Sequence, residues 1–154
     1  MHFPTLSRGT FAWNSLTYFS KSDILTTFLQ LGWHIIPVIS VILPVFNSEE
    51  FIRKAIESVL AQTFEDFELI IVNDGSTDSS KDIIDSFEDD RIRLISQSNQ
   101  GPGAARNNAL RIAEGEYIMY LDSDDWFCPN ALEVAYGEIT KFGADFTFFK
   151  MINF

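Results

Sequence analysis

From Ile39 onward the sequence alternates between two kinds of segment, and this alternation limits the fold more than any other feature. Four segments have helical spacing of apolar residues, and they begin near residues 49, 77, 102 and 129. Five short segments are rich in branched and aromatic residues, as β-strands are, and they cover 39–45, 67–73, 91–97, 117–121 and 145–150. Strand and helix alternation with short loops implies right-handed crossovers and a parallel sheet. The sequence therefore predicts a doubly wound α/β fold with helices on both faces of the sheet.

Local signals predict where the first two helices begin. Asn47 lies three residues before Glu50, which is the spacing of a capping box, and Phe51 begins an apolar helical face that continues to residue 60. We therefore expect a helix over 49–62. A second helix is expected to begin after a cap at Thr77 or Asp78.

Length and charge limit the class of protein. A chain of 154 residues with 46% apolar residues can bury a core without disulfides or a structural metal. The formal net charge of −11 argues against sequence-independent binding of nucleic acids, which depends on Lys and Arg. Residues 41–154 hold nine basic and 21 acidic groups, so the acidity belongs to the α/β region.

The first part of the chain has a different character. Residues 1–37 mix aromatic residues with Ser and Thr, and we interpret them as a poorly defined extension before a domain over 38–154. The 19 positions from Phe28 to Phe46 contain no charged residue, which is close to the length of a membrane span. Pro37 and Pro44 interrupt that stretch, so we expect a short helix near 24–31 followed by a buried strand.

The single cysteine gives an expectation about location. Cys128 has no partner for a disulfide, which fits a reducing compartment, and we expect it to be a small buried residue. A cytoplasmic location is therefore predicted, with peripheral association at the inner face of the membrane as an alternative.

The residues that directly follow the predicted strands form the candidate site. Ligands of doubly wound folds bind beyond the carboxyl ends of the strands. Four loops occupy these positions here, with the sequences PVFNSE (44–49), NDGSTD (73–78), SNQGPGAARN (98–107) and DSDDW (122–126). They carry five carboxylates to one edge: Asp74, Asp78, Asp122, Asp124 and Asp125. Like charges disfavour joint ionisation, so this cluster favours a bound cation or a hydrogen-bonding ligand.

The spacing of Asp122 and Asp124 suits a metal. One residue separates them, so both side chains point to the same side of an extended backbone. Mg²⁺ and Mn²⁺ typically take one or two carboxylates together with phosphate oxygens of a substrate. A cation that bridges to a diphosphate would also let an acidic protein hold an anionic substrate.

The other loops leave alternatives open. Gly75 permits a positive φ in a turn, and Asp74 is then free to accept a hydrogen bond from a nucleobase imide or a sugar hydroxyl. Arg106 is placed to meet a phosphate, or equally to pair with Asp122 or Asp74. The GPGAARN segment lacks the third glycine of a dinucleotide motif, and the sequence contains neither a P-loop nor a Ser/His or Cys/His nucleophilic set.

Together these motifs resemble the N-terminal nucleotide-binding half of a family 2 glycosyltransferase with the GT-A (Rossmann-like) fold, over residues 39–150. The resemblance implies transfer of a hexosyl group, with inversion, from a nucleotide diphosphate sugar, usually a uridine diphosphate sugar. It also implies a divalent metal, Mg²⁺ or Mn²⁺, and a role in polysaccharide biosynthesis. The acceptor would be a sugar, a lipid or a polysaccharide.

The resemblance assigns roles by motif position. The family's donor loop corresponds to Pro44, Phe46, Asn47 and Glu49, and Phe46 replaces the commoner tyrosine. Asp74, with Gly75 beside it, corresponds to the aspartate that contacts the base, and Arg106 to the arginine before the third helix. In the D-x-D motif, Asp122 lies nearer the ribose, Ser123 joins the substrate site, and Asp124 binds the metal together with Asp122.

The catalytic base is the part that the sequence leaves open. In this family the base and most of the acceptor site lie downstream of the D-x-D motif, so we expect a GT-A domain that is truncated at its C-terminus. Asp125 is a weak candidate for the base. The alternative is a non-catalytic nucleotide-sugar-binding fragment that needs a partner chain or the missing half, with self-association. A phosphoryl-transfer domain would need a nearby lysine, for which only Lys150 is a candidate.

Overall fold

The structure is a computed structural model, and it describes residues 36–147. Four strands alternate with four helices in this part of the chain. The strands are β1 (Ile39–Val45), β2 (Phe67–Asn73), β3 (Ile92–Ser96) and β4 (Tyr117–Tyr120). The helices are α1 (Ile52–Leu60), α2 (Ser80–Asp85), α3 (Pro102–Leu110) and α4 (Ala131–Phe142).

All of these strands pair in parallel, in the order β3-β2-β1-β4. The register joins Val45 of β1 to Asn73 of β2, and Asn73 to Ser96 of β3. Three strands therefore end at the same level, and the loops that follow them start side by side. This confirms the predicted parallel α/β sheet and places the candidate loops at one edge.

Helices cover both faces of the sheet, as predicted. On one face the alternate residues Val41, Leu43 and Leu69 pack in a core that receives Ile56 from α1, Ile84 from α2 and Leu132 from α4. On the other face the intervening residues pack against α3: Ile42, Ile70 and Val72 meet Ala105 and Ala109. The two central strands are buried along their whole length, which explains their continuous apolar sequences.

The first helix starts later than predicted. It begins at Ile52 rather than at residue 49, and no side chain caps it. Asn47 has a positive φ of 49°, and its amide oxygen accepts a hydrogen bond from the backbone N–H of Thr77 instead. Ile52 is buried, whereas Phe51, which the sequence placed on the apolar face of this helix, is 48% exposed.

The sequence predicts a third helix from about Pro102 to Glu114 that stops at Gly115, but the helix ends earlier, at Leu110. The reason is that the backbone N–H groups that follow donate to side chains of the sheet instead of to carbonyl groups of the helix. The N–H of Glu114 donates to Glu68 Oε1 at 2.7 Å, and the N–H of Gly115 donates to Ser40 Oγ at 2.8 Å. The chain therefore leaves the helix and is fixed against the starts of β1 and β2.

Three further expectations concern the ends of the chain. Residues 145–147 do not form a strand, and the rest of the predicted strand at 148–150 lies outside the described residues. The predicted helix near 24–31 also lies outside them. Within residues 36–147, no helix combines the length and the apolar character that crossing a bilayer requires.

A buried carboxylate organises the edge of the sheet opposite the candidate loops. Glu68 is 5% exposed and accepts hydrogen bonds from Ser40 Oγ at 2.6 Å and from Arg93 Nη1 at 2.9 Å, besides that from the N–H of Glu114. Burial by itself would raise the pKa of Glu68, but these hydrogen bonds and the Arg93 charge outweigh it and hold the pKa below its ordinary value.

The lowered pKa of Glu68 predicts a loss of stability in acid. A carboxyl group with a depressed folded-state pKa stabilises the fold above its unfolded pKa of about 4.3, and the contribution is lost as pH falls through the folded value. We expect Glu68→Gln to lower the free energy of unfolding by about 1 to 3 kcal/mol at pH 7 and by much less at pH 3. Urea unfolding at both pH values measures this, with Glu57→Gln on the exposed face of α1 as control. An equal deficit at both pH values would contradict the prediction.

Candidate functional site

The loops at the carboxyl ends of the strands enclose an open cleft of about 320 Å³. Seven of the residues that the sequence placed in the site line this cleft: Pro44, Phe46, Asp74, Arg106, Asp122, Ser123 and Asp124. Val45 lines it as well, together with Asn99, Gly101 and Pro102, which belong to the predicted loop 98–107 but were not singled out as site residues. The predicted residues Asn47, Glu49, Gly75 and Asp125 do not line the cleft, and their contacts are described below.

Asp74 is buried in the cleft wall, with 3% of its surface exposed. Its carboxylate accepts hydrogen bonds from Gln97 Nε2 (2.8 Å) and from the backbone N–H groups of Gln100 (2.9 Å) and Gly101 (2.8 Å). Two carboxylate oxygens offer about four acceptor positions, so Asp74 can hold this loop and still accept one more hydrogen bond. Asp74 therefore fixes the loop after β3.

Gln97 is a site residue that the sequence did not reveal. It donates to Asp74, and its own side-chain oxygen accepts from Asn108 Nδ2 on α3. A chain of hydrogen bonds thus runs from the cleft wall to the third helix. The signal was weak because Gln97 belongs to a predicted strand end, where a glutamine reads as an ordinary exposed residue.

Gly75 lets two loops approach each other closely. Its φ is +74°, which favours glycine, and a Cβ atom at this position would lie 2.8 Å from the backbone nitrogen of Asn99. The positive φ confirms the predicted turn. Because Gly75 carries no side chain, the loop after β3 can pack against the loop after β2 and form the cleft wall.

Asn47 and Glu49 bind the loop after β2. Besides the bond from Thr77 to Asn47 (2.8 Å), Glu49 Oε2 accepts from the N–H of Ser79 at 2.9 Å, and the N–H of Glu49 donates to Asp78 Oδ2 at 3.0 Å. Burial acts to raise the pKa of Asp78, but hydrogen bonds from Ser80 and Glu49 lower it on balance.

Two further bonds join the same loops. The N–H of Asn47 donates to Ser76 Oγ at 3.1 Å, and the N–H of Ser48 donates to Ser80 Oγ at 2.8 Å. The hydroxyl of Thr77 also donates to Asn47 Oδ1, at 3.4 Å. All six bonds connect positions about 30 residues apart in the sequence, so no local pattern predicts them.

The D-x-D loop follows β4 and forms the other wall of the cleft. Arg106 on α3 forms an ion pair with Asp122, which decides between the two carboxylate partners that the sequence left open. Ser123 Oγ lies 2.7 Å from Ser48 Oγ, and this contact joins the loops after β4 and β1. Asp124 is exposed at the cleft surface.

Asp125 faces a different environment from its two neighbours. It lies outside the cleft lining, and its backbone N–H donates to the carbonyl oxygen of Asp122 at 3.1 Å. Burial raises the pKa of Asp125, and the negative charges of Asp124 and Asp122 raise it further. Next to it, the Trp126 ring is 45% exposed and carries the Lys54 ammonium 3.1 Å from its centroid.

The carboxylates at the cleft fit a divalent cation only if a bound ligand supplies further oxygen atoms. Within residues 36–147, no group of three or more His, Cys, Asp or Glu side chains is arranged to hold a metal ion. Asp122 and Asp124 offer hard carboxylate oxygens at the cleft surface, and Mg²⁺ or Mn²⁺ commonly binds through one or two carboxylates plus substrate phosphates. These two residues therefore match a site that is completed by a diphosphate.

Cys128 differs from the expectation of a buried residue. Its side chain is exposed, because the segment after the D-x-D loop runs over the surface before α4 begins. The carbonyl oxygen of Cys128 accepts a hydrogen bond from Gln62 Nε2 at 2.7 Å. The backbone of this residue is thus fixed while its thiol is open to solvent.

Comparisons with known proteins agree with this architecture. The family model described as glycosyl transferase family 2 matches residues 40–153. The glycosyltransferase GlyA of Streptococcus pneumoniae is 43% identical over 109 residues, which cover 70% of this chain and 16% of GlyA.

Two solved structures have similar folds. TarS of S. aureus, solved as residues 1–349 in complex with UDP-GlcNAc, superposes with a TM-score of 0.66 at 35% identity, over 70% of this chain and 32% of the solved TarS chain. The mannosyltransferase PcManGT from Pyrobaculum calidifontis, solved with GDP-Man and Mn²⁺, gives a TM-score of 0.55 at 25% identity, over 60% of this chain and 29% of PcManGT. The chain thus spans about a third or less of each of these proteins. With the family model matched over most of its length, the chain belongs to glycosyl transferase family 2.

Proposed function

We propose that this domain binds a nucleotide diphosphate sugar, with a uridine diphosphate sugar as the first candidate, and that the sugar is transferred with inversion to an acceptor. The observation that carries the proposal is the cleft, where Asp74, Arg106, Asp122 and Asp124 meet at the carboxyl end of the sheet. The UDP-GlcNAc complex of TarS and the GDP-Man complex of PcManGT support a donor of this class.

Each wall of the cleft has a chemical role in this proposal. The free acceptor position of the Asp74 carboxylate would receive an N–H of the base, which fixes the nucleoside. Arg106 would place its guanidinium near the diphosphate, because it already lies in the cleft and pairs with Asp122. Asp124 and Asp122 would hold Mg²⁺ or Mn²⁺, which stabilises negative charge on a leaving diphosphate.

Transfer with inversion also needs a base opposite the leaving group, which takes the proton of the acceptor hydroxyl. Asp125 is the candidate within the described residues, since it is a carboxylate next to the cleft that makes no ion pair there.

The acceptor is a sugar, a lipid or a polysaccharide in this proposal. The exposed thiol of Cys128 fits a reducing compartment, so we propose a cytoplasmic location for the domain. Peripheral association at the inner face of the membrane stays a prediction.

A second candidate is donor binding without transfer, in a chain that needs a partner or a second copy to complete the acceptor site. The position of Asp125 favours it, because this carboxylate lies outside the cleft lining. Assays of donor hydrolysis and sugar transfer, combined with the mass of the protein in solution, separate the two. Turnover by a monomer would reject the second candidate.

A thermal-shift screen tests donor binding directly. A ligand that binds only the folded state raises its stability, by about 2.7 kcal/mol at a concentration 100 times Kd. We expect uridine diphosphate sugars with Mn²⁺ to raise the melting temperature more than either component alone. Guanosine and adenosine diphosphate sugars compare the bases, and free uridine separates the contribution of the diphosphate. No shift with any nucleotide would reject the proposed function.

A further inference from the structure

The loops after β1 and β2 are joined by six hydrogen bonds between residues 47–49 and residues 76–80, which we call the loop bridge. We propose that Asn47 and Glu49 are positioning residues, which hold the loop bridge together and thereby shape the cleft, rather than groups that touch the donor. This inference rests on the proposed function, and it changes the role that family resemblance assigns to these two residues.

One acceptor oxygen of each side chain is engaged by the neighbouring loop: Asn47 Oδ1 receives the N–H of Thr77, and Glu49 Oε2 receives the N–H of Ser79. Ser79 is the N-cap of α2, where backbone donors lack partners within the helix, and Thr77 lies in the turn before it. Neither Asn47 nor Glu49 lines the cleft. Their side chains therefore serve the neighbouring loop.

The backbone of Asn47 is shaped for this purpose. Its φ of +49° makes it the one non-glycine residue with positive φ in the described part of the chain. Asparagine tolerates this conformation better than most residues. The turn at Asn47 directs the chain from β1 across the loop after β2, so the loop bridge depends on this residue type.

The loop bridge is connected to both walls of the cleft. Ser48 lies between the two positioning residues, and its hydroxyl contacts Ser123 of the D-x-D loop at 2.7 Å. Phe46, one residue before the bridge, lines the cleft together with Ser123. A shift of the loop after β1 would therefore move Phe46 and the D-x-D loop together. Donor affinity should thus respond to side chains that never contact the donor.

Two substitutions of Glu49 separate positioning from direct contact. Glu49→Gln replaces the carboxylate by an uncharged amide, whose oxygen can still accept the hydrogen bond from the N–H of Ser79. Glu49→Ala removes the acceptor. By titration calorimetry with uridine diphosphate and Mn²⁺, we expect Glu49→Ala to weaken binding about tenfold and Glu49→Gln by no more than about threefold. Glu50→Ala removes a neighbouring exposed carboxylate and should leave binding unchanged.

Amide exchange of Ser79, followed by NMR, reads the loop bridge without any ligand. We expect its N–H to exchange about tenfold faster in Glu49→Ala than in the wild type, and at nearly the wild-type rate in Glu49→Gln. Ser80→Ala removes the buried hydroxyl oxygen that accepts the hydrogen bond from the N–H of Ser48 in the loop bridge. This substitution should also weaken uridine diphosphate binding.

The outcomes distinguish the two proposals. If Glu49→Gln loses binding while Ser79 stays protected, Glu49 is a ligand of the donor and the positioning role is wrong. This variant decides the question even if Glu49→Ala does not fold. If the wild-type protein does not bind uridine diphosphate, the proposed function fails. The loop bridge is then tested by the amide exchange of Ser79 alone. If the Ser79 N–H is as protected in Glu49→Ala as in the wild type, the positioning role of Glu49 is rejected.

Discussion

Replacing Asp124 by alanine is expected to remove the metal-dependent part of uridine diphosphate binding. Asp124 is exposed at the cleft surface, and the ion pair of Asp122 with Arg106 leaves Asp124 as the carboxylate most available to a cation. Loss of a residue that supports a metal ligand typically lowers metal affinity by about 10- to 100-fold, and loss of the ligand itself should cost at least as much. Titration calorimetry with and without Mn²⁺ measures this increment.

A matched control makes the Asp124 result specific. Asp82→Ala removes the same side chain and the same charge from the exposed surface of α2, so binding with Mn²⁺ should stay at the wild-type level. The Asp124→Ala protein should bind uridine diphosphate equally with and without Mn²⁺. If Mn²⁺ still strengthens binding by the wild-type factor, Asp124 does not hold the metal.

Gly115→Ala is expected to destabilise the fold more than alanine at any other glycine of residues 36–147. A Cβ atom at Gly115 would lie 2.4 Å from the backbone nitrogen of Ser40 and 2.8 Å from the carbonyl carbon of Ile39. Both atoms belong to the central strand β1, which cannot move without disturbing its two neighbours. The substitution would also displace the donors to Ser40 and Glu68. We expect a loss of about 3 kcal/mol in the free energy of unfolding.

Gly137→Ala provides the opposite expectation with the same chemical change. Gly137 lies inside α4, and a Cβ atom there would meet no atom within 4 Å. Alanine is favoured over glycine in a helix interior by about 0.5 to 1 kcal/mol, so this variant should be slightly more stable than the wild type. Urea unfolding of both variants tests the pair. Equal effects of the two substitutions would show that the contact of Gly115 with β1 does not limit the fold.

The strands and the fold class were predictable because their signals are local. The sequences of β1 and β2 are continuous apolar runs, and the structure gives them the predicted bounds of 39–45 and 67–73. The end of α3 was not predictable, because it depends on the bonds of Glu114 and Gly115 to Glu68 and Ser40, which are 46 and 75 residues away in the sequence. The start of α1 was missed for a related reason, since Asn47 binds Thr77 rather than its own helix.

The alternation of strands and helices, and hence which loops lie at the carboxyl edge of the sheet, follows from the amino-acid pattern. The pattern also identified most of the cleft, because Asp74, Asp122 and Asp124 follow strand ends and Arg106 lies in the first part of the helix after β3. The partners of these groups come from the three-dimensional fold: Arg106 pairs with Asp122, Asp74 holds the loop after β3, and Glu49 binds the loop after β2. Position along a strand is set by local periodicity, whereas the partner of a loop side chain depends on which distant loops the sheet brings together.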